Sequence, residues 1–305
     1  MENTIDSLRI AFSPQSLVLL NFLLAFVMFG IALEVRWQDF KNLAQNPRPV
    51  IAGVISQFLL LPALTFLVVT IIEPLPSIAL GMILVAACPG GNISNFISHL
   101  SGANAALSVS LTGVATILSL FFTPFNLQLW AGLYEPTAQI LKTIALSPQQ
   151  IFKTVALILI LPLIAGMAVQ YRYSKVVNKI APTFKILSVL IFMGFVLVAF
   201  IKNVEVFTTY IHAVFFLVLL HNALAFITGY LAGSSARLSL RNRRTIAVET
   251  GIQNSGLALL LIFSYFEGLG GMALTAAWWG VWHLVSGLVL AYFWGRVYKL
   301  NPALS

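Results

Sequence analysis

Apolar runs bounded by charge, proline or glycine recur along the whole chain, at about 16–34, 49–72, 77–99, 104–127, 150–171, 183–201, 208–232, 245–266 and 272–294. Each is close to the about 20 residues that an α-helix needs to cross a bilayer. The pattern predicts an all-α polytopic membrane protein with nine transmembrane helices in one domain spanning 1–305. Composition sharpens this reading, because 59% of the 305 residues are hydrophobic and only 9% are charged. A soluble surface needs about 25% charged residues, so a water-soluble fold is excluded.

The charges then test the span count. With the N-terminus outside, Arg36, Lys41, Arg48, Arg172, Lys175, Lys179, Lys185, Arg237, Arg241, Arg243, Arg244, Arg296 and Lys299 fall inside, and only Arg9, Lys142, Lys153 and Lys202 fall outside. That asymmetry, alternating loop by loop, predicts an N-out, C-in protein of the inner (cytoplasmic) membrane. The net charge of +8 sits in loops rather than in an aromatic-interleaved stripe, so no nucleic-acid partner is expected. Cys88 is the single cysteine, which excludes an internal disulfide and any Cys/His zinc spacing. The first apolar run lacks a basic leader and is read as a retained span.

Glu249 is the one acidic residue inside a span, where a carboxylate costs several kcal/mol unless paired, hydrated or ion-bound. Two spans also carry breaks. In the third, Cys88-Pro89-Gly90-Gly91-Asn92-Ile93-Ser94-Asn95 combines a proline with two glycines, which removes a backbone donor and the resistance to unwinding. In the eighth, Glu249-Thr250-Gly251-Ile252-Gln253-Asn254-Ser255-Gly256 repeats the theme. The third and eighth spans run in opposite directions. Paired antiparallel discontinuous helices indicate an inverted-repeat transporter with its site at the midplane, with a first repeat at about 15–130 and a second at about 148–298. Kinks used only for packing account for the proline and glycines but not for the clustered amides, hydroxyls and carboxylate.

The oxygen inventory suits a hard cation. Gln57 lies mid-span in the second helix, and Ser108 and Thr112 share one face of the fourth at i, i+4. Such oxygens serve sodium and not a transition metal. Taken alone, Ser108 and Thr112 serve equally as helix-packing residues.

The sequences Cys88-Pro89-Gly90-Gly91 with Ser94-Asn95, and Glu249 through Gly256, resemble the two crossover motifs of the bile acid:sodium symporter family, and His221-Asn222 and Trp282-His283 also fit. The resemblance runs from about residue 20 to 295. It implies a core of crossing broken helices moving against a panel of helices, driven by two sodium ions as the only cofactors. One ion would be held by Ser94, Asn95, Ser108, Thr112 and Glu249. The other would be held by Gln57, Gln253, Glu249 and carbonyls near Thr250 and Ile252. An organic anion would lie beside Asn92 and Asn254, with His283 lining the cavity, while His221 and Asn222 brace the eighth span. Departures fall on the substrate side: Asn92 replaces an expected Thr or Ser, and Leu284 replaces an Asn. The chain also starts at what would be the second helix of the usual bacterial form.

The expected function is therefore sodium-coupled symport of an organic anion, bile-acid-like or a small carboxylate such as pantoate. A proton-coupled or uncoupled carrier on the same fold, and a non-transporting membrane sensor, remain alternatives. The absence of HExxH, GxSxG and paired intramembrane aspartates argues against an enzyme.

Overall fold

The structure is a computed structural model that describes residues 5–10, 12–36, 38, 45–91 and 93–300. Asn92, one of the predicted substrate residues, lies outside them. Within the described residues the chain forms α1 (Pro14–Ala32), α2 (Arg48–Ile72), α3 (Pro76–Ala87), α4 (Ile93–Leu100), α5 (Ala105–Leu133), α6 (Glu135–Ile144), α7 (from Pro148 to Lys202), α8 (Val204–Ser235), α9 (Leu240–Gly251), α10 (Ser255–Tyr265) and α11 (Gly270–Leu300). Among the described residues, six helices are long and apolar enough to cross a membrane, in α1, α2, α5, α7, α8 and α11. The protein is a multi-pass membrane protein.

The nine expected runs map onto these helices with three differences. The runs 77–99 and 245–266 are each two short helices, α3 with α4 and α9 with α10. The runs 150–171 and 183–201 both belong to α7, whose regular backbone is interrupted at Tyr173 (φ −127°, ψ 35°). Gly166 packs on Phe29 and Ala32 of α1, and Phe184 stacks beside Phe26 and Phe29 of the same helix, with ring centroids 4.4 and 5.9 Å apart. In a straight helix residues 166 and 184 would be about 27 Å apart. The chain therefore bends sharply at Tyr173, and both limbs lie against α1. Boundaries also shift: α5 continues to Leu133 and α9 begins at Leu240.

Helix α6 is an element that hydropathy did not predict. Glu135-Pro136 opens it, Thr137, Ala138 and Leu141 face inward, and Ala145 closes it in the left-handed conformation (φ 51°). Its short apolar stripe is the signature of a helix lying on the bundle rather than crossing a membrane.

The core is built around α3 and α10, whose residues 77–87 and 255–262 are all buried. This all-round burial explains why both segments are uniformly apolar, without the polar face of a surface helix. Helices α8 and α9 approach closely because Gly229 carries no side chain; a Cβ there would sit 2.6 Å from the Ala247 Cα. At the basic end of the core, Arg244 is buried, reaches the carbonyls of Ser101 and Trp294, and lies over the Trp294 ring. At the opposite end residues 5–10 and Phe12 strap the core. Asp6 Oδ1 accepts from Ser77 N at the start of α3, Gly270 N donates to Leu8 O, Ile10 N donates to Gly268 O, and Phe12 stacks on Phe263.

Candidate functional site

The two helix breaks meet. Residues 88–91 follow α3 and residues 252–254 separate α9 from α10, and the two segments pair in antiparallel fashion at Gly90 and Gln253. Gly91 N donates to Ile252 O (2.6 Å), and Asn254 N donates to Pro89 O (2.9 Å). Glycine is required at the contact: a Cβ on Gly91 would lie 2.8 Å from Gln253 O, and one on Gly90 would lie 3.0 Å from both Glu249 O and Glu249 Oε2.

Unwinding a helix inside an apolar bundle frees carbonyls that must find donors. Asn222 Nδ2 on α8 donates to Gly251 O (2.7 Å), while its Oδ1 accepts from Ser286 on α11 (2.6 Å). Thr123 on α5 donates to Ala87 O at the end of α3 (2.8 Å). Asn126, one turn further, donates to Phe58 O within a π-helical segment of α2, Ser56–Leu60 (3.0 Å). The bracing role expected of Asn222 is therefore observed. Thr123 and Asn126 were not singled out from sequence, although a hydroxyl and an amide flanking Pro124 in an apolar helix were a usable signal.

Glu249, fully buried near the end of α9, gathers side chains from two other helices. Its Oε1 accepts from Ser94 Oγ of α4 (2.5 Å), from Ser108 Oγ of α5, and from Thr112 Oγ1 (3.2 Å). Its Oε2 accepts from Thr112 (3.0 Å). Asn95 Oδ1 joins them, 2.9 Å from Ser108 Oγ and 3.2 Å from Thr112 Oγ1. Each hydroxyl owns one proton. Thr112 nonetheless lies within bonding distance of four acceptors, including the Ser108 carbonyl (3.0 Å), and Ser108 lies within reach of two. More oxygen–oxygen contacts converge here than the three hydroxyl protons can bridge at once. The structure thus brings together Ser94, Asn95, Ser108, Thr112 and Glu249, five residues from three separate helices.

A second polar cluster lies across Gly90. Gln57, buried in the π-helical segment, points its Nε2 at the same spot as Glu249 Oε2, since a Cβ on Gly90 would be 3.3 Å from it. Among the described residues neither side-chain atom of Gln57 has a hydrogen-bond partner, and neither does Gln253 Oε1. Gln253 Nε2 donates to Thr250 O (2.8 Å), and Ile252 O is already engaged by Gly91. The Thr250 hydroxyl is paired with Ser56 Oγ (2.8 Å), a partner that sequence reading did not identify.

Asn254 and His283 line a small cavity of about 50 Å³, together with Gly91, Ile93 and Ser255 from the crossover and Leu24, Val27 and Ser188 from α1 and α7. Asn254 has a structural task as well, because its Oδ1 caps α10 by accepting from Leu257 N (3.0 Å). His283 Nδ1 is buried without a partner among the described residues. His221, expected beside Asn222 as a brace of the eighth span, instead bonds through Nε2 to Thr65 of α2 (2.6 Å) and is set against Trp279 of α11. Thr65 donates its own proton to Leu61 O, so His221 Nε2 is the donor in that pair.

Comparison with known proteins places this geometry. The profile of the Sodium Bile acid symporter family matches residues 21–210. An uncharacterized sodium-dependent transporter of Bacillus subtilis, YocS, is 32% identical over 280 residues, covering 92% of this chain and 84% of the relative. A probable sodium/metabolite cotransporter of rice chloroplasts, BASS1, is 28% identical over 89% of this chain, which spans 64% of the plant protein. The bovine P3 protein is 27% identical over 85% of this chain and 54% of its own length. With a matched family profile over more than half of its length and these relatives beside it, the chain belongs to the sodium bile acid symporter family.

Proposed function

We propose that the protein is a secondary active transporter that couples inward sodium movement to symport of a small organic anion by alternating access. The observation that carries this reading is the convergence on Glu249, where the oxygens of Ser94, Asn95, Ser108 and Thr112 make more contacts with one another and with the carboxylate than three hydroxyl protons can bridge. A hard monovalent cation suits such an oxygen set, and it neutralises a carboxylate that is expensive in a bilayer. The unpartnered amide of Gln57 and amide oxygen of Gln253, with the carbonyls of Thr250 and Ile252, form the second sodium position, and Glu249 faces both.

The reading counts nine crossings: α1, α2, α3 with α4, α5, the two limbs of α7, α8, α9 with α10, and α11. The two halves, about 15–130 and 148–298, are inverted repeats within one transport domain. The excess of arginine and lysine puts the N-terminus outside and the C-terminus in the cytoplasm, in a cytoplasmic membrane. The cavity beside Asn254 and His283 takes the anion, with Asn92 as the third predicted contact. At about 50 Å³ it is far below the about 300–1,000 Å³ of a small-molecule pocket, so α1 and α7 must move away from the crossover to admit cargo. A small carboxylate asks less of that movement than a bile acid. The names of the relatives, a sodium-dependent transporter and sodium/metabolite cotransporters, support a transport role over an enzymatic one.

The deciding experiment is thermal stability of the purified protein in sodium against potassium or choline, followed by radiolabelled carboxylate uptake into proteoliposomes under a sodium gradient. Sodium-specific stabilisation and gradient-driven uptake support the reading. Ion-independent stability with pH-driven uptake supports the proton-coupled carrier, and binding without flux supports the sensor.

A further inference from the structure

An apolar concavity lies on the outer surface between α2 and α8, away from the crossover. It encloses about 680 Å³. Its floor is cut from small residues, including Ala52, Ala63, Ala232 and Ser235, and its rims are large exposed side chains such as Ile55 and Leu231. A narrow channel with a small-residue floor and aliphatic rims fits a linear hydrocarbon chain. The groove faces the bilayer, where water is not available to fill it.

One end of the groove is charged. Arg48, at the start of α2, lines the mouth, and its guanidinium donates to Ala236 O just beyond α8 (3.3 Å). That bond holds the charge across the gap between the two helices and leaves further guanidinium donors for an acceptor in front of it. Arg237 follows directly in the chain, and no carboxylate is among the groove's lining residues. The mouth is thus a positive site at the end of an apolar slot, and it lies at the arginine-rich end of the bundle. The outer wall of the groove includes Ile55 and Leu60, while the inner face of the same stretch presents Ser56 and Gln57 to the crossover.

We infer that this groove is a specific site for an anionic phospholipid, with an acyl chain on the small-residue floor and the headgroup phosphate on Arg48. The inference depends on the protein lying in a bilayer and not on sodium coupling, so it stands or falls separately from the transport reading.

Native mass spectrometry of the full chain in detergent, with phosphatidylglycerol or phosphatidylcholine added at equal concentration, tests it. Wild type is expected to retain one phosphatidylglycerol per chain, at about fivefold or greater occupancy over phosphatidylcholine, since ion pairing favours the net anionic headgroup. Arg48→Ala should bring phosphatidylglycerol down to the phosphatidylcholine level, and Arg48→Lys should restore most of the preference. Ala232→Phe, which fills the floor and leaves the charge in place, should lower retention of both lipids. Equal retention of the two lipids by wild type, or undiminished phosphatidylglycerol retention by both Arg48→Ala and Ala232→Phe, overturns the proposal.

Discussion

The two polar clusters flanking Gly90 are built from similar residue types, yet they stand in opposite states. Around Glu249 every oxygen is in contact with another: Ser94, Ser108 and Thr112 close on the carboxylate, Asn95 Oδ1 meets the Ser108 and Thr112 hydroxyls, and only the Asn95 amide nitrogen has no partner among the described residues. Around Gln57 and Gln253 three buried amide atoms have no partner among the described residues. A crowded cluster contributes to holding the fold together, because its hydroxyls tie α4, α5 and α9. An orphaned one costs stability until something binds, since an unsatisfied buried polar group costs about 1–3 kcal/mol. The difference separates a position that doubles as structure from one that serves its ligand alone.

The sharpest way to break this comparison is to remove the charge that both clusters face. Glu249→Gln keeps the shape and leaves no formal anion, so sodium-induced stabilisation should vanish; at a concentration of 100 times Kd that is a loss of about 2.7 kcal/mol, read as thermal shift in sodium against choline. Sodium-driven uptake should fall to background in the same variant. Retained sodium response would mean that the hydroxyls and amides suffice and that Glu249 is structural.

Next in size, Ser108→Ala should lower stability even without sodium, by about 1–2 kcal/mol, because it removes one of the two hydroxyls by which α5 holds Glu249 and Asn95. Gln57→Ala should do the reverse. It should leave sodium-free stability unchanged or slightly raised while increasing the sodium concentration for half-maximal uptake by about tenfold, or 1.4 kcal/mol. If both substitutions lower sodium-free stability alike, the contrast between the clusters is lost. Denaturation in potassium beside uptake titrated with sodium separates the two effects.

Asn222→Leu addresses the scaffold. Gly251 O would lose its donor inside the bundle, and a stability loss of about 1–3 kcal/mol is expected in sodium and choline alike. A sodium-selective loss would move Asn222 into the ion site.

The smallest effect sharpens the role of Asn254. Replacing this N-cap by alanine should cost about 1 kcal/mol, whereas Asn254→Ser keeps a capping oxygen and should cost little. Loss of uptake in the serine variant with stability retained would separate substrate contact from capping.

Much of this architecture was legible in the sequence because hydropathy and helix breaking are local. Twenty apolar residues between charges define a span, and Pro89-Gly90-Gly91 unwinds a helix whatever surrounds it. The chemistry of the site was legible for a related reason: a carboxylate inside an apolar run demands partners, and Glu249 was the one such residue. Where reading failed, the missing information was relational. The crossing helix α9 starts five residues before the predicted 245, because Arg241–Arg244 are charged or polar in sequence and so fall outside an apolar run, yet they are helical and Arg244 is buried at the basic end of the core. Helix α6 escaped because its apolar stripe is too short for a hydropathy window.

By itself the sequence determined the membrane class, the positions of both breaks and the set of oxygen-bearing residues near them, because each follows from composition over one or two dozen adjacent positions. Only the tertiary structure decided which freed carbonyl takes which donor, with Ala87 going to Thr123, Phe58 to Asn126 and Gly251 to Asn222. It also decided that Ser94, Ser108 and Thr112 close on one carboxylate while Gln57 is left unpaired, and that Asn254 caps a half-helix while lining a cavity. The physical reason is that a hydrogen bond is decided at the scale of a few tenths of an ångström between residues up to 194 positions apart. Helix packing sets that distance; local pattern does not.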